Sequence, residues 1–423
     1  MYQDLTYGSK LQPLSEAIEQ KLAPLHKKVD HHVDLNQYRV LKSFQNHKVS
    51  DSHFIPTTGY GYDDIGRDTL EKVYAEVFGG EAGLVRPQII SGTHAISTAL
   101  FGVLRPGDEL IYITGKPYDT LEEIVGIRGS GKGSLKEYKI DYRSIDLTEE
   151  GKVDFGAVEK AISPKTKMIG IQRSKGYASR PSYTIAEIKE MIEFVKGIKH
   201  DVVVFVDNCY GEFVECAEPC HVGADLMAGS LIKNPGGGLA KTGGYIVGKE
   251  DLVELCSFRL TSPGIGAEAG ASLYSLQEMY QGFFMAPHVV GQALKGAQFT
   301  SAILEEIGMK TFPAWDAERT DLIQAVQFDD RDLMVTFCQA IQYASPINSH
   351  FTPYPNYMPG YEDDVIMAAG TFIQGASIEL TADGPLRPPY IAYVQGGLTY
   401  SHVKMAILIA LDSLLEKGHI TIK

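Results

Sequence analysis

Two residues of this sequence, an acid and a lysine, stand where they would perform chemistry together. Asp207 is the last residue of the apolar run DVVVFVD, and Lys233 follows 26 residues later in SLIKNPGGG. Open parallel sheets bind ligands outside the carboxyl ends of their strands, where both residues are expected. Burying a carboxylate there is costly unless it meets a cation. The spacing therefore favours a shared site, although each residue alone would be interpreted as a capping Asp and a solvated Lys.

A protonated pyridine nitrogen is the cation that fits this carboxylate. Pyridoxal 5'-phosphate (PLP) carries one, and in that state it is an electron sink for a carbanion at the α-carbon of an amino acid. Lys233 would hold the cofactor aldehyde as a Schiff base, and Ser230 would donate to the phosphate. The glycines that follow would let backbone approach the ring. We predict PLP as the cofactor.

A second predicted element of the site is the segment SGTHAISTAL, which starts at Ser91 after the run VRPQII. Backbone N–H groups at a helix start, together with the Ser91 and Thr93 hydroxyls, form a cradle for an anion. We assign Ser91, Gly92 and Thr93 to the cofactor phosphate. A plain N-cap is the simpler interpretation of such a segment.

Two side chains complete the predicted site. Tyr118 follows the run DELIYIT, where its ring would stack on a flat heterocycle, and an ordinary loop tyrosine is the equal alternative. Arg387, in ADGPLRPPYIAYVQGG, would bind a substrate carboxylate through a two-pronged ion pair. A surface salt bridge is the competing interpretation of Arg387.

Short apolar runs alternate with helical segments and so predict the elements that position these residues. The predicted strands are GLVRPQII, DELIYIT, KMIGIQ, DVVVFVD, ADLMAG and GGYIVG, and a capping box at Thr184 and Glu187 begins a helix between two of them. Such alternation is typical of a mainly parallel sheet covered on both faces. After about residue 285, a long helix and shorter strands predict a smaller α+β domain.

We therefore predict an α/β protein. The predicted parts are an N-terminal arm at residues 1–55, a large PLP-binding domain at 56–300 with a mainly parallel sheet, and a small α+β C-terminal domain at 301–423. The arm contains helical spacing only at residues 14–28, before a polar, histidine-rich stretch.

Composition excludes several kinds of partner. A net charge of -14 would repel nucleic acid, and no aliphatic run is long enough to span a membrane. No secretory signal is visible at the N-terminus, and five cysteines indicate reduced thiols, so we expect a cytoplasmic protein. Cys216, Cys220 and His221 lack a second ligand pair at zinc-site spacing, so we predict no metal.

The segment GIRGSGKG, residues 126–133, nearly matches the phosphate loop of ATPases. It motivates an alternative class, a nucleotide-binding or regulatory α/β protein without catalysis. Gly133 occupies the position that needs Ser or Thr for Mg²⁺, and the preceding DTLEEIV is typical of a helix where the motif requires a strand. A mobile glycine loop is the favoured interpretation.

Taken together, these motifs resemble the Cys/Met-metabolism PLP enzymes, which include cystathionine lyases and methionine gamma-lyase. The likeness is carried by Asp207, by Ser230 to Lys233, by SGTHA at Ser91 and by YDT at Tyr118. The sequence is more similar to the methionine gamma-lyase-like or "aluminium resistance" branch. The strings IQRSKGY, GSLIKNPGGG, PGYEDDVIMAAGTF and ELTADGPLRPPY carry that second likeness.

The resemblance implies the PLP-dependent transferase fold of the aspartate-aminotransferase type, with a seven-stranded sheet in the large domain. It also implies a role for each residue. Lys233 would form the Schiff base and then remove the α-proton of the substrate, and Asp207 would stabilise the pyridinium. Tyr118 would stack on the ring and help protonate the leaving sulfur, while Arg387 would hold the α-carboxylate. The implied reaction is β- or γ-elimination on a sulfur-containing amino acid, while aminotransfer and aldol cleavage use the same lysine and stay open.

The resemblance also implies a homodimer or homotetramer with active sites at the subunit interface. In the wider family a tyrosine, one residue and an arginine reach the cofactor phosphate of the neighbouring subunit. The matching stretch here is Tyr60-Gly61-Tyr62, in which Tyr62 replaces the arginine. We assign Tyr60 and Tyr62 to cofactor binding from the neighbouring chain.

Overall fold

A computed structural model of the chain describes residues 2–178, 180–358 and 361–422. The first two residues of the motif PGYEDDVIMAAGTF lie outside these ranges. In the part described, no helix is long and apolar enough to cross a membrane. Two units are distinguished, the sheet unit (Asn36–Met285) and the terminal unit (Met1–Leu35 with Ala286–Lys423). The domain boundaries at residues 55 and 300 stay predictions.

A seven-stranded sheet lies at the centre of the sheet unit. Its strands are β1 (Ala82–Arg86), β2 (Glu109–Tyr112), β3 (Asp141–Ser144), β4 (Thr166–Gln172), β5 (Val203–Asp207), β6 (Leu226–Ser230) and β7 (Gly244–Gly248). Their spatial order is β1-β7-β6-β5-β4-β2-β3, and only β7 runs antiparallel to its neighbours. The predicted mainly parallel sheet of the transferase fold is confirmed.

All six strands predicted from apolar runs are present, and β3 is the one that the sequence did not indicate. Residues of β5, β6 and β7 are buried throughout, as expected for strands covered on both faces. In contrast, β3 is a four-residue edge strand, DYRS, whose side chains alternate between exposed and half-buried. A strand with one face exposed to solvent needs no continuous apolar run.

Helices connect the strands and extend into the terminal unit. They are α1 (Gly8–Asn46), α2 (Ile65–Phe78), α3 (Gly92–Val103), α4 (Asp119–Val125), α5 (Phe155–Ala161), α6 (Ile185–Ile198), α7 (Glu250–Leu260), α8 (Leu276–Glu306), α9 (Arg331–Tyr343) and α10 (Tyr400–Glu416). The predicted capping box is present at the start of α6. The Glu187 N–H donates to Thr184 Oγ1 at 3.2 Å, and the Thr184 N–H donates to Glu187 Oε2 at 2.8 Å.

The predicted N-terminal arm is largely one helix, since α1 spans 39 residues and not only residues 14–28. Its buried positions continue at helical spacing past residue 28, at Val29, Asn36, Val40 and Ser43, and two of these four are polar. Asn36 donates hydrogen bonds to the Phe213 and Glu215 carbonyl oxygens, so this polar residue is satisfied where it is buried. The weak apolar periodicity therefore concealed a regular helix.

The terminal unit is an antiparallel sheet with helices, as predicted for the smaller α+β domain. The strands β8 (Lys310–Phe312), β9 (Gln324–Gln327), β10 (Val365–Ala368), β11 (Thr381–Pro385) and β12 (Ile391–Gln395) have the order β10-β11-β12-β9-β8. One hydrophobic core joins this sheet to α9 and α10. Leu11, Ile18 and Leu22 of α1 belong to the same core.

The α6 capping box gives a test of the sheet unit's stability. Thr184→Ala removes the oxygen that accepts the Glu187 N–H, so we expect the free energy of unfolding to fall by about 1 kcal/mol. Thr184→Ser keeps that oxygen and is the matched control, with little change expected. Urea denaturation measures both variants, and equal losses in the two would contradict the role of the cap.

Candidate active site

The candidate site lies at the carboxyl ends of the central strands, on one face of the sheet. Side chains alternate between faces along a strand, so Asp207 shares a face with Phe205, and Ser230 shares one with Ala228. Phe205 and Ala228 belong to the core that contains residues of α3, which identifies this as the α3 face. Lys233 follows three residues after Ser230. Asp207 and Ser230 therefore end adjacent strands on the same face of the sheet, with Lys233 just beyond.

Cys209, which the sequence analysis did not select, marks the point where three elements of the site meet. A Cβ added to Gly92, the first residue of α3, would stand 3.2 Å from Cys209 Sγ and 3.3 Å from Ser230 Cβ. The Cys209 N–H donates to Asp207 Oδ1 at 3.1 Å. The ends of β5 and β6 and the start of α3 thus converge, and only glycine fits at residue 92 without displacing a neighbour.

The half-buried Lys233 ammonium lies in an electronegative setting. Its Nζ stands 4.0 Å from the centroid of the Tyr210 ring, a cation–π contact. Burial alone lowers the pKa of Lys233, whereas negative charge on Cys209, Tyr210 or Asp207 raises it, and the pKa lies above its ordinary value. Burial and the charge of Asp207 hold the pKa of Cys209 well above its usual range, so the Cys209 thiol is neutral. Asp207 is then a source of negative charge near Lys233.

Asp207 is buried, and its ionisation depends on Lys233. Burial raises the pKa of the Asp207 carboxyl above its ordinary value, while the positive charge of Lys233 opposes that effect. A second cation beside Asp207 would act in the same direction as Lys233. The edge of the sheet is therefore suited to a ligand with a protonated ring nitrogen.

The loop that carries Lys233 is held by hydrogen bonds from the side chain of the next residue, Asn234. The Asn234 side chain donates to the Tyr210 carbonyl oxygen at 3.0 Å and to the Glu212 carbonyl oxygen at 2.9 Å. Tyr210 and Phe213 both have φ values in the left-handed region, 72° and 63°. Non-glycine residues in that region are strained and need surrounding contacts to hold them, as found at many functional sites.

Two of the three hydroxyls in the proposed phosphate cradle at the start of α3 already have hydrogen-bond partners. Ser91 is the N-cap of α3, and its Oγ accepts the His94 N–H at 3.0 Å, so the plain cap is present. Thr93 Oγ1 lies 3.1 Å from Thr120 Oγ1. Ser230 Oγ is buried and has no hydrogen-bond partner among the described residues. This orphaned hydroxyl next to the helix start fits a phosphate ligand.

Tyr118 is connected to the site through Gln172, a residue that the sequence analysis missed. The Tyr118 N–H donates to Gln172 Oε1 at 2.6 Å, and Gln172 pairs with Asp207 across β4 and β5. A Cβ added to Gly176 would lie 3.1 Å from Tyr118 Cδ2. Like Asp207, Gln172 is a polar residue that ends an apolar strand, and that shared signal would have identified it.

Tyr60 and Tyr62 lie on the surface of the sheet unit, with exposed fractions of 69% and 55%. Their rings stack with centroids 5.3 Å apart and an interplanar angle of 12°. Arg67 donates from NH1 to the Gly61 carbonyl oxygen at 2.6 Å, and the Gly270 N–H donates to the Tyr60 carbonyl oxygen at 2.8 Å. The two tyrosines are thus presented on an anchored loop.

Arg387 belongs to the terminal unit, where it forms a surface ion pair. A surface salt bridge was the competing interpretation of this residue. Its NH1 donates to Asp363 Oδ2 at 3.2 Å, and its side chain is 56% exposed. Its assignment to the substrate carboxylate stays a prediction.

The glycine loop at residues 126–133 follows the helix α4. An ATPase phosphate loop follows a strand, so this segment does not have the context of that motif. Within the described ranges, no three His, Cys, Asp or Glu side chains are grouped as metal ligands.

The fold has known counterparts. The PLP-dependent protein YhfS of Escherichia coli superimposes with a TM-score of 0.63 at 17% identity, covering 92% of this chain and 97% of that one. At that identity the likeness establishes the fold class alone, which is that of PLP-dependent enzymes.

The chain belongs to the methionine gamma-lyase family, whose model matches residues 11–415. The cofactor of that family is PLP. The uncharacterized protein YnbB of Bacillus subtilis is 72% identical over 418 residues, 99% of both chains. A solved structure from Bacillus cereus has 78% identity and a TM-score of 0.94, covering 95% of this chain and 99% of that one.

Two further relatives carry functional names. A structure named carbon-sulfur lyase involved in aluminum resistance, from Clostridium novyi, is 48% identical with a TM-score of 0.92 and covers 96% of each chain. The L-methionine gamma-lyase of Pseudomonas putida is 30% identical over 222 residues, 51% of this chain and 48% of that one.

A buried acid, Glu212, lies on the opposite face of the sheet. A Cβ added to Gly229 would contact Glu212 Oε1, and Gly229 points away from the face of Ser230. The Tyr245 hydroxyl donates to Glu212 Oε1 at 2.7 Å, and Oε2 has no partner among the described residues. Burial raises the pKa of Glu212 to about 8, although the Tyr245 hydrogen bond lowers it.

Glu212 predicts a fall in stability with rising pH. The folded protein retains a proton that the unfolded chain releases above the ordinary pKa of 4.5, so the free energy of unfolding decreases between about pH 5 and pH 8. This pH-dependent part amounts to roughly 3 to 4 kcal/mol, at about 1.4 kcal/mol per pKa unit. Glu212→Gln stays neutral, so its stability relative to wild type should increase across that window.

Thermal unfolding of both proteins from pH 5 to pH 9 measures the difference. Glu193→Gln, an exchange on the exposed side of α6, is the control and should show no such trend. A constant difference between Glu212→Gln and wild type at all pH values would show that Glu212 is already ionised at pH 5.

Proposed function

We propose that this chain is a PLP-dependent carbon–sulfur lyase acting on a sulfur-containing amino acid. The observation that carries the proposal is the joint placement of Asp207, Lys233 and the orphaned Ser230 hydroxyl at one sheet edge, beside the start of α3. Membership of the methionine gamma-lyase family supports the cofactor and the reaction class. The Clostridium novyi relative, a named carbon-sulfur lyase, supports the bond that is broken.

The cofactor, when bound, withdraws electrons from the substrate α-carbon, and the residues of the chain have separate tasks around it. Asp207 would hold a proton on the ring nitrogen, because a buried carboxylate favours a neighbouring cation. Lys233 would hold the cofactor through its aldehyde carbon. Ser91, Gly92, Thr93 and Ser230 would bind the phosphate through hydroxyls and N–H groups at the helix start.

Proton transfer falls to two side chains. The Lys233 amine would remove the proton from the substrate α-carbon as a general base. Tyr118 would cover the ring face and donate its hydroxyl proton to the leaving sulfur. The Gln172 side chain fixes the Tyr118 backbone, which supports a defined place for that hydroxyl. Arg387 would exchange its Asp363 partner for the substrate carboxylate.

A mutational test follows from the role of Lys233. Wild-type protein mixed with PLP should gain a visible absorbance band and release a thiol, ammonia and a 2-oxo acid from cysteine-, cystathionine- or methionine-like substrates. Lys233→Ala should lose the wild-type band and at least a thousandfold in rate, on the order of the loss expected for a catalytic base. Lys241→Ala, an exposed lysine paired with Glu278, is the matched control and should behave as wild type.

The products also define the reaction. Pyruvate would identify β-elimination and 2-oxobutyrate γ-elimination. An unchanged band in Lys233→Ala, or a wild-type protein that gains no band with PLP, would contradict the proposal.

We also propose that the protein is a cytoplasmic homodimer or homotetramer with Tyr60 and Tyr62 at the subunit interface, near the neighbour's cofactor phosphate. Support comes from the two exposed, stacked rings and from the Arg67 contact that fixes their loop. The five free cysteines support a reducing compartment.

Sedimentation tests the assembly. We expect a mass of two or four 46.4 kDa chains for wild type, and at least tenfold weaker association for the double variant Tyr60→Ala/Tyr62→Ala, because large aromatic side chains dominate interface energies. Tyr343→Ala removes another exposed tyrosine, at the end of α9, and should not change the mass. A wild-type monomer at micromolar concentration would contradict this assembly.

A further inference from the structure

Tyr112, the last residue of β2, has a buried hydroxyl that the proposed mechanism leaves unused. Its side chain is fully buried, and its hydroxyl has no hydrogen-bond partner in the described part of the chain. Leaving a buried hydroxyl unpaired destabilises the folded protein, and proteins seldom do so without a reason. A ligand or a rearranged neighbour is one such reason.

The Tyr112 ring lies across the adjacent strand. A Cβ added to Gly170 would stand 2.6 Å from Tyr112 Cε2 and 2.9 Å from Cζ, so the ring occupies the space where a side chain would be. Gly170 faces Tyr112 in the pairing of β2 with β4, and it faces Phe205 in the pairing of β4 with β5. The phenol therefore extends over β4 in the direction of β5.

The same face of the sheet carries the candidate cofactor site. Tyr112 and Phe205 belong to one core with residues of α3, and Asp207, two residues after Phe205, points to that face. The direction of the ring thus leads towards the end of β5, where Asp207 lies.

Tyr112 is suited to act as a donor near Asp207. Burial raises the pKa of the Tyr112 phenol well above its ordinary value, and the charge of Asp207 raises it further. The phenol consequently keeps its proton at any physiological pH. Asp207 receives the Cys209 N–H at Oδ1, which leaves other lone pairs of the carboxylate for a second protein donor and for a ligand.

We propose that Tyr112 is a positioning residue for Asp207: its hydroxyl donates to the Asp207 carboxylate in the cofactor-loaded site, and Gly170 provides the space for its ring. This inference rests on the proposed function, because the ligand that orders Asp207 is PLP. The hydrogen bond would hold the carboxylate towards the ring nitrogen and so strengthen cofactor binding.

Removal of one oxygen atom tests this inference. Tyr112→Phe keeps the ring over Gly170 and deletes the donor, so PLP should bind about tenfold more weakly, as expected for the loss of a hydrogen bond to a charged group. Titration of PLP into cofactor-free protein, followed by visible absorbance, gives the dissociation constant. The melting temperature of the cofactor-free variant should not fall, because the substitution removes no hydrogen bond to a described residue.

Tyr142→Phe is the matched control. Tyr142 lies on the neighbouring strand β3, with its ring centroid 6.2 Å from that of Tyr112, and it also carries an inaccessible hydroxyl. It is farther along the sheet from β5 than Tyr112 is. Its loss should leave the PLP dissociation constant within twofold of wild type.

A second variant changes Gly170, the residue that the Tyr112 ring covers. Gly170→Ala places a methyl group against the ring and should displace the hydroxyl, so PLP affinity falls although the phenol is intact. Because the hydroxyl is then already out of place, adding Tyr112→Phe to Gly170→Ala should weaken binding no further. Such a non-additive cycle indicates that the two residues act as a unit.

Three outcomes separate the possible failures. Wild-type PLP affinity in Tyr112→Phe, with a normal wild-type band, overturns the role of Tyr112 and leaves the proposed function intact. Equal losses in Tyr112→Phe and Tyr142→Phe also overturn it, since both would then report only on packing. A wild type that binds no PLP overturns the proposed function and this inference together.

Discussion

Electrostatic attraction between Asp207 and Lys233 is the constraint on which the rest of the site depends. A buried carboxylate without a cation is strongly unfavourable, and a lysine next to apolar strands loses hydration. Each charge lowers the cost of the other, as the opposing effects on the Asp207 pKa indicate. The parallel pairing of β5 with β6, in which Asp207 faces Ala228, brings the ends of the two strands that precede this pair side by side.

The two faces of the sheet handle acidic groups in different ways. On the α3 face, Asp207 has Lys233 nearby and stays suited to a cationic ligand. On the other face, burial raises the pKa of Glu212 to about 8, so that it keeps its proton at neutral pH and needs no counter-ion. Asn208 follows Asp207 and binds Glu218 at 2.9 Å and Arg173 at 2.8 Å. Consecutive residues at the end of one strand thus belong to the proposed ligand site and to a structural hydrogen-bond network.

How much of this the sequence predicts depends on which physical signal each element leaves. Buried parallel strands leave continuous apolar runs, so six strands were predictable, whereas the edge strand β3 leaves none. The helix α1 was underestimated because polar residues such as Asn36 occupy its buried positions and are satisfied by distant carbonyl groups. Asp207 followed from strand-end reasoning, since a polar residue closing an apolar run is visible in the sequence, and Ser230 followed from its place three residues before Lys233.

Other parts of the site require strand register, which the sequence does not reveal. Gln172 becomes relevant only because it pairs with Asp207, and Cys209 only because its sulfur lies beside Gly92. The Gly92 position was predictable as part of a helix start, but the reason for glycine there, the nearby sulfur atom, was not. Roles for Tyr60, Tyr62 and Arg387 depend on another subunit or on bound substrate, and they stay predictions.

A repeated arrangement of tyrosine and glycine supports the interpretation of Tyr112. Glycine inside a strand is destabilising and often marks the close approach of another group. On the far face, Tyr245 lies over Gly229, its partner across the β6 and β7 pairing, and its hydroxyl reaches the buried acid Glu212 at 2.7 Å. On the α3 face, Tyr112 lies over its own partner Gly170, in the direction of the buried acid Asp207. The first arrangement has its hydrogen bond in place, whereas the Tyr112 hydroxyl in the second has no hydrogen-bond partner among the described residues. Asp207 differs from Glu212 because it has a cation nearby and a proposed ligand. The Tyr112 hydroxyl is therefore directed towards the acid whose orientation cofactor binding would set.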